Sequence, residues 1–307
     1  MSKVLVTLFL LGPGALGRSL LLKIRNSTKG VSLSSTAEQI TRSYVSNKFQ
    51  LQFEYFSSYW PGGWKCQLQL RGREILMNAM QKERGVILWV TPSSSSDLVV
   101  KRCFSEHQID VAHLSALTHG YSSSRFGVKF INSVNRTIEN RYIAHRIILT
   151  RGATGDAIRE INNRISNKEV VSITAVKNKG GRSTSTRFFS ARLPLGVGAI
   201  NIAYNTGCVL LPVFCVRESN SAKDPTYSVE IGQPLEVNPE VSKSEAFAEV
   251  LRDYGDALEK HVRIAPEQWS GWTHLTVSDG KPDWRQAFWN WLHKSGPDDD
   301  ARSLNQP

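Results

Sequence analysis

The chain has 307 residues, of which 40% are apolar and 9% aromatic, so it suits one large α/β domain or two small ones with a sizeable core. Its net charge of +11 indicates an anionic partner, which is nucleic acid, an acidic lipid surface or an acidic carrier protein. The spacing of the four cysteines excludes a zinc site and a disulfide framework, and we expect neither a metal nor a cofactor.

The first 25 residues carry apolar stretches interrupted by Gly12-Pro13-Gly14 and ending near Lys23 and Arg25. This segment is too short and too interrupted for a membrane span of about 20 residues, and it has no clear Ala-x-Ala cleavage site. Two interpretations stay open, an interfacial helix flanked by basic residues and an amphipathic core helix.

The next elements follow from hydrophobic spacing and capping signals. Thr36–Tyr59 has apolar residues at helical spacing after a Ser-Ser-Thr cap signal, and Gly72–Glu83 predicts a short helix. Gly85–Val90 is a continuous apolar run with β-branched members, which is typical of a strand buried on both faces. A helix from about Ser94 to Glu106 completes a strand–loop–helix unit.

The remaining elements alternate between strands and helices, which favours a mostly parallel sheet. Two short apolar segments come first. A basic, glycine-containing loop follows the predicted strand Val170–Val176. The predicted order is segments Ile109–Leu114 and Phe126–Ile131, helix Gly155–Ser166, strand Val170–Val176, loop Lys177–Arg187, helix Gly196–Thr206, strand Val209–Val216, edge strand Tyr227–Ile231 and amphipathic helix Ser244–Ile264. After Leu275, three tryptophans predict a short docked helix before a loose tail.

The loop after the strand Gly85–Val90 is the most informative segment for function. Four serines and then Asp97 follow Thr91-Pro92, at the position where open α/β sheets carry their chemistry. Asp97 is therefore a candidate active-site carboxylate. The alternative is a Ser/Asp helix-capping turn without chemistry.

Common catalytic and nucleotide-binding motifs are missing from the sequence. It contains no Gly-x-Ser-x-Gly elbow, Walker loop, dinucleotide fingerprint or His-Glu-x-x-His, which removes the commonest hydrolase, nucleotide-binding and zinc-protease functions. His107, His113 and His119 lie close together, but nothing in the sequence places one of them beside a nucleophile.

Basic residues are concentrated between Lys101 and Arg192, where 16 Lys or Arg stand against six Asp or Glu. Such an excess suits a groove for phosphate or carboxylate groups, and a solvated face of mixed charge is the alternative. Within Lys177–Arg187, Lys179 and Arg182 flank a Gly-Gly pair whose backbone N–H groups are suited to phosphate.

Several sequence blocks follow one another between about Leu70 and Trp272. The sharpest are Asn-Thr-Gly before the Val-Leu-Leu-Pro-Val strand and Pro-Glu-Gln-Trp near the end. SSSRFGVKFI (122–131) precedes both, and YSVEIGQPLEV (227–237) lies between them. Together the blocks resemble the lysophospholipid-acyltransferase-like superfamily and, within it, the lipid A biosynthesis acyltransferases, which move an acyl chain from acyl carrier protein to a glycolipid.

The resemblance implies a catalytic histidine and, after four intervening residues, an Asp or Glu. The histidine deprotonates the acceptor hydroxyl, and the acid orients and stabilises the imidazole. Here Asp97 matches the acid, but Pro92 occupies the histidine position. The Asp-Gln that usually follows the strand Val170–Val176 is also replaced. Arg125 is the matching basic residue that we expect to meet a substrate phosphate or carboxylate.

The resemblance sets the expectations for fold and organisation. We expect an acyltransferase-like α/β sandwich, with helices flanking a mostly parallel sheet. Residues 1–60 form an N-terminal helical segment that is a candidate for membrane association, residues 61–275 the α/β domain and residues 276–307 a tail.

For function, we expect an acyltransferase-family protein of the lipid A type with a degenerate His-x4-Asp motif. Acyl carrier protein or acyl-CoA is the expected donor, an anionic lipid or glycolipid the acceptor, and the cytoplasmic face of the inner membrane the location, or else the cytoplasm. The alternative is a non-catalytic relative that binds acyl carrier or anionic lipid. Nucleic-acid binding has no support beyond charge.

Overall fold

The computed structural model describes residues 15–60, 63–116, 125–150, 154–176, 182–218 and 224–276. The strands are β1 (Gln67–Arg71), β2 (Val86–Val90), β3 (Ala112–Ala116), β4 (His145–Leu149), β5 (Val170–Thr174), β6 (Ser183–Phe188), β7 (Ala191–Gly196), β8 (Val209–Arg217) and β9 (Thr226–Ile231). The helices are α1 (Ala15–Ser27), α2 (Ala37–Tyr59), α3 (Arg73–Gln81), α4 (Ser96–Glu106), α5 (Arg125–Lys129), α6 (Ile131–Glu139), α7 (Thr154–Ser166), α8 (Gly198–Thr206) and α9 (Lys243–Ile264). Two 3-10 turns follow, Pro266–Gln268 and Ser270–His274.

Seven strands form one sheet in the order β1-β9-β8-β2-β5-β3-β4. All neighbours are parallel except β8 and β9, which are antiparallel. The central strand β2 is buried at every position, as its uninterrupted apolar sequence predicts. Gly85 precedes it with φ of +69°, and a Cβ there would lie 2.5 Å from the carbonyl oxygen of Ile165. The predicted α/β fold with a mostly parallel sheet is confirmed.

The two faces of the sheet carry separate apolar layers, because side chains alternate along each strand. Ile87 and Trp89 of β2 pack on the face covered by α7, α8, α9 and the N-terminal helices. Val86, Leu88 and Val90 pack on the other face, under α3 and α4. Loop 91–97 therefore leaves the centre of the sheet between two filled layers.

The N-terminal helices α1 and α2 pack on the first of these faces. Leu20 and Ile24 of α1 and Ile40 and Tyr44 of α2 are buried in the same core as the sheet. Thr36 and Gln39 form a complete capping box at the start of α2, as the Ser-Ser-Thr signal predicts. Among the described residues, no helix is both long and apolar enough to cross a bilayer.

Several predicted elements are wrong in type or place. Residues 183–187 of the predicted loop Lys177–Arg187 belong to β6, which forms an antiparallel hairpin with β7. Strand β9 lies between β1 and β8 and not at an edge. The segment Phe126–Ile131 lies in α5 and the start of α6. The predicted helix beyond residue 276 lies outside the described residues.

Candidate functional site

Loop 91–97 is attached to the carboxyl edge of the sheet by its first two residues. The backbone N–H of Thr91 donates to Val213 of β8 at 2.8 Å, and its hydroxyl lies 2.8 Å from the hydroxyl of Tyr254 on α9. The carbonyl of Pro92 accepts a hydrogen bond of 3.3 Å from the N–H of Ser270. The position that the resemblance assigns to a catalytic histidine is therefore fixed by its backbone alone.

Gln268 fastens the serine-rich part of the loop to the end of β8. Its carbonyl accepts from the N–H of Ser94 at 2.8 Å and from the Ser94 hydroxyl at 2.9 Å. Its side-chain amide pairs with the backbone of Arg217, accepting from the N–H at 2.7 Å and donating to the carbonyl at 2.9 Å. One residue of the Pro-Glu-Gln-Trp block thus joins three parts of the chain.

The start of α4 combines a helix-capping turn with the candidate acid. The Ser96 hydroxyl accepts from the N–H of Ser93 at 3.0 Å, whereas the N-cap residue Ser95 makes no side-chain capping bond. Asp97 lies in the first turn of α4, where a carboxylate interacts favourably with the helix dipole. The capping interpretation therefore holds for part of the loop and leaves Asp97 available.

Asp97 lines a small cavity between α4 and the sheet. The cavity has a volume of about 10 Å³ and is also lined by Lys101, His113, Ser172 and Thr174. That volume is about the space that one water molecule needs. An acyl acceptor would not fit here without movement of α4.

His113 is the histidine that the fold brings to this cavity. Residue 113 of β3 pairs in register with Ser172 of β5, and its Nδ1 lies 2.6 Å from the Ser172 hydroxyl. The imidazole is 4% exposed, so it is a core residue, and it is hydrogen-bonded to Ser172. His119 lies outside the described residues, and Nδ1 of His107, at the end of α4, donates to the carbonyl of Cys103 at 2.8 Å.

Pro92 lines a different cavity from Asp97. This second cavity, also about 10 Å³, is lined mainly by apolar residues including Leu193, Leu195 and Tyr254. It belongs to the face of the sheet that carries α9, whereas the Asp97 cavity lies under α4. The two positions of the family dyad therefore open on opposite faces of the sheet.

A buried ionic cluster adjoins the Asp97 cavity. The carboxylate of Glu139 on α6 accepts from Lys101 at 2.8 Å, from Arg146 at 3.0 Å and from the Tyr55 hydroxyl at 2.7 Å. Glu139 is 1% exposed, so its charge is compensated by two cations inside the fold. Burial and the Glu139 and Asp97 charges hold the pKa of Tyr55 well above its usual value. Lys101 is therefore committed to Glu139.

A second buried acid lies at the same sheet edge. The carboxylate of Glu54 accepts from the Tyr227 hydroxyl and, at 3.0 Å, from Gln50, while its other oxygen has no hydrogen-bond partner among the described residues. Burial raises the pKa of Glu54 despite these bonds. Burial likewise raises the pKa of Tyr227.

The predicted substrate-binding cations are only partly described. Arg182 is exposed just before β6, Arg125 begins α5 with its side chain outside the described part, and Lys179 lies outside it altogether. No group of three or more His, Cys, Asp or Glu within the described ranges could hold a metal ion. Sequence reasoning missed Gln268, Tyr254 and Ser172 as neighbours of the site, although Gln268 lies in a block that it singled out.

The fold and the loop at the centre of its sheet define an acyltransferase-like protein, and comparison with known proteins gives the family. A model of the bacterial lipid A biosynthesis acyltransferases matches residues 48–275. The chain belongs to this family, which confirms the predicted family and acyltransferase class. Its structure is similar to that of the 1-acyl-sn-glycerophosphate (LPA) acyltransferase PlsC from Thermotoga maritima, with 16% identity, a TM-score of 0.36, and coverage of 85% of this chain and 97% of that chain. No curated protein matches.

Proposed function

We propose that this chain binds an acyl donor and an anionic glycolipid acceptor, and that it transfers the acyl chain far more slowly than a relative with histidine at position 92. The observation that carries this proposal is the separation of Pro92 and Asp97 into different cavities. Acyl carrier protein or acyl-CoA would supply the thioester, and a hydroxyl of the glycolipid would attack its carbonyl.

The chemistry explains why the loop limits the rate. The attacking hydroxyl must lose its proton as the new ester bond forms, and the thiol then leaves from the tetrahedral intermediate. A positioned base contributes about 10²–10⁴-fold to such a step. Pro92 has no group that accepts a proton, and Asp97 alone lacks the imidazole that it would orient.

Substrate binding does not depend on the missing base. Arg125, Lys179 and Arg182 are the proposed contacts for phosphate or carboxylate groups of the ligands, because guanidinium and ammonium groups suit such anions. The net charge of +11 further supports a peripheral position on an acidic membrane surface, at the cytoplasmic face of the inner membrane.

A non-catalytic ligand-binding protein is the second candidate function. The small size of the Asp97 cavity, about 10 Å³, favours it, since this cavity has no room for an acyl acceptor. If His113 acted as the general base in place of a histidine at position 92, the protein would be catalytic. His113 is, however, buried beside Ser172.

The test is an acyl-transfer assay with purified full-length protein, acyl carrier protein loaded with a fatty acyl chain, and a glycolipid acceptor. We expect transfer far below that of a histidine-bearing relative, and little further loss in Asp97→Ala. Rapid transfer that Asp97→Ala abolishes, with Pro92 in place, would overturn the proposal. Rapid transfer lost in His113→Gln but kept in His107→Gln would identify His113 as a replacement base.

A further inference from the structure

A further pocket of the described structure lies beside the candidate site and not within it. It has a volume of about 490 Å³ and lies where the end of α2, the start of β1 and the outer side of α4 meet. Because β1 is parallel to β9, which is antiparallel to β8, β1 begins at the carboxyl edge of the sheet, next to the start of β9. Its charged and aromatic walls are Trp60, Trp64, Lys65, Arg102, Arg141 and Tyr142.

Arg102 is held in a fixed orientation at one wall of this pocket. Its Nε donates to Glu106 at 2.7 Å and its Nη1 to the carbonyl of Trp64 at 2.7 Å. The guanidinium carbon lies 5.6 Å from the Trp64 ring centre and 5.9 Å from that of Tyr142. These contacts position Arg102 without using Nη2, which makes no hydrogen bond to a described residue.

Two more cations share the pocket. Arg141 is anchored by a 3.1 Å hydrogen bond from Nη1 to the carbonyl of Ser58, and the exposed Lys65 makes no ion pair with any described residue. Asp224 is the acid in the described lining. Three cations therefore stand against Asp224 in the lining and Glu106 beside Arg102, which leaves a net positive charge that suits an anionic group such as a phosphate monoester.

Exposed aromatic side chains extend from the pocket along α2. Phe53 is 78% exposed, Phe56 50%, Tyr59 57% and Trp60 69%, and Trp60 also lines the pocket. Phe53 and Phe56 are three residues apart and share one face of α2, and Trp60 directly follows its last residue. Between residues 49 and 60 the only charged residue is Glu54, which is buried.

We propose that this pocket binds the phosphate head group of an anionic amphiphile, whose acyl chains lie against the aromatic face of α2. A nucleic acid would require a row of cations to contact its phosphates, and residues 49–60 contain no Lys or Arg. The exposed apolar face of α2 instead suits the hydrocarbon chains of a lipid. The inference rests on the proposed function only for the lipid class of the ligand. It adds a site formed by Lys65, Arg102 and Arg141, away from Asp97.

The experiment measures binding without an acyl donor, so it is independent of transfer. Isothermal titration calorimetry compares soluble dihexanoyl phosphatidic acid, dihexanoyl phosphatidylcholine and inorganic phosphate. The test variant is Lys65→Gln/Arg141→Gln. The matched control is Lys82→Gln/Arg84→Gln, which removes the same charge from exposed residues before β2, at the opposite edge of the sheet.

We expect phosphatidic acid to bind more tightly than the other two ligands, and the test variant to bind it about tenfold or more weakly than the control. Lys65→Gln alone, which removes no described contact, should show part of this loss. Equal affinity for inorganic phosphate or phosphatidylcholine, displacement by a short oligonucleotide, or equal binding by both double variants would overturn the proposal. Binding without acyl transfer would support this site and leave the transfer proposal to its own assay.

Discussion

The hydroxyls of Thr91 and Tyr254 lie 2.8 Å apart where β2 meets α9, and both are buried. Thr91 is the first residue beyond β2, and Tyr254 also packs on Trp89 with ring centres 4.3 Å apart. Burial raises the pKa of Tyr254, so the phenol stays protonated and shares a hydrogen bond with Thr91. This contact fixes the exit of β2 to α9 directly before Pro92.

The Thr91 and Tyr254 pair should behave as a coupled unit in unfolding. Tyr254→Phe and Thr91→Val each leave a buried hydroxyl without its partner, which costs about 1–3 kcal/mol. We expect the double variant to lose less than the sum of the two, by about 0.5 kcal/mol or more. Urea unfolding of the four proteins measures the coupling, and strictly additive losses would contradict it.

Pro92→His should not restore rapid transfer. Pro92 lines the cavity with Leu193 and Leu195, so an imidazole there lies across the sheet from Asp97. A correctly placed base would raise the transfer rate about 10²–10⁴-fold. A rise of that size in the acyl-transfer assay would show that a histidine at position 92 does reach Asp97.

Gln268→Ala should loosen loop 91–97 and lower stability. The substitution removes two hydrogen bonds to the backbone of Arg217, which we expect to cost about 1–3 kcal/mol in unfolding free energy. Limited proteolysis should also cut the loop faster. Gln233→Ala, at an exposed position, is the control and should leave both measurements unchanged.

Glu139→Gln should be among the most destabilising single charge changes in the protein. It leaves Lys101 and Arg146 buried without their shared carboxylate, and breaking such a cluster costs about 3–5 kcal/mol. Chemical denaturation measures the loss. Glu74→Gln, at an exposed position, serves as control. Similar stability of the two variants would show that water solvates the charges of Lys101 and Arg146 when the carboxylate is removed.

His261 should make stability fall in mild acid. Burial lowers its pKa from the ordinary 6.5, although the charge of Glu230 acts in the opposite direction. The unfolded chain then binds more protons than the folded one, so stability decreases as the pH falls below about 6.5. His261→Phe keeps the stacking on Phe214, whose ring centre lies 4.2 Å away, and removes the titration. Unfolding free energies measured between about pH 7.5 and 5.5 should fall less in the variant, and parallel profiles would contradict this.

The sequence predicts the parts of the fold that have strong local patterns. The apolar run of β2 between Gly85 and Pro92 and the amphipathic stripe of α9 both predict elements within a residue of their observed bounds. Strand β1, with the sequence QLQLR, is half exposed, and β6, with STSTR, is mostly polar, so neither has a continuous apolar signal. Their pairing depends on partners far along the chain.

For the candidate site, the sequence predicts loop 91–97 and the carboxylate of Asp97. Asp97 follows from strand, turn and helix signals that lie within a dozen residues. The contact between His113 and Ser172 depends on the register of two strands 59 residues apart, and the pocket around Arg102 on three separate segments. Such juxtapositions require the tertiary structure, because no local pattern encodes them.

The attachment of Gln268 to Ser94 also sets an order of events during synthesis. These residues are 174 positions apart, and every strand of the seven-stranded sheet precedes residue 268 in the chain. Until residue 268 is synthesised, Ser94 lacks this partner, although Thr91 already has its own partner in β8. The candidate site is therefore completed only after the last strand of the sheet has been made.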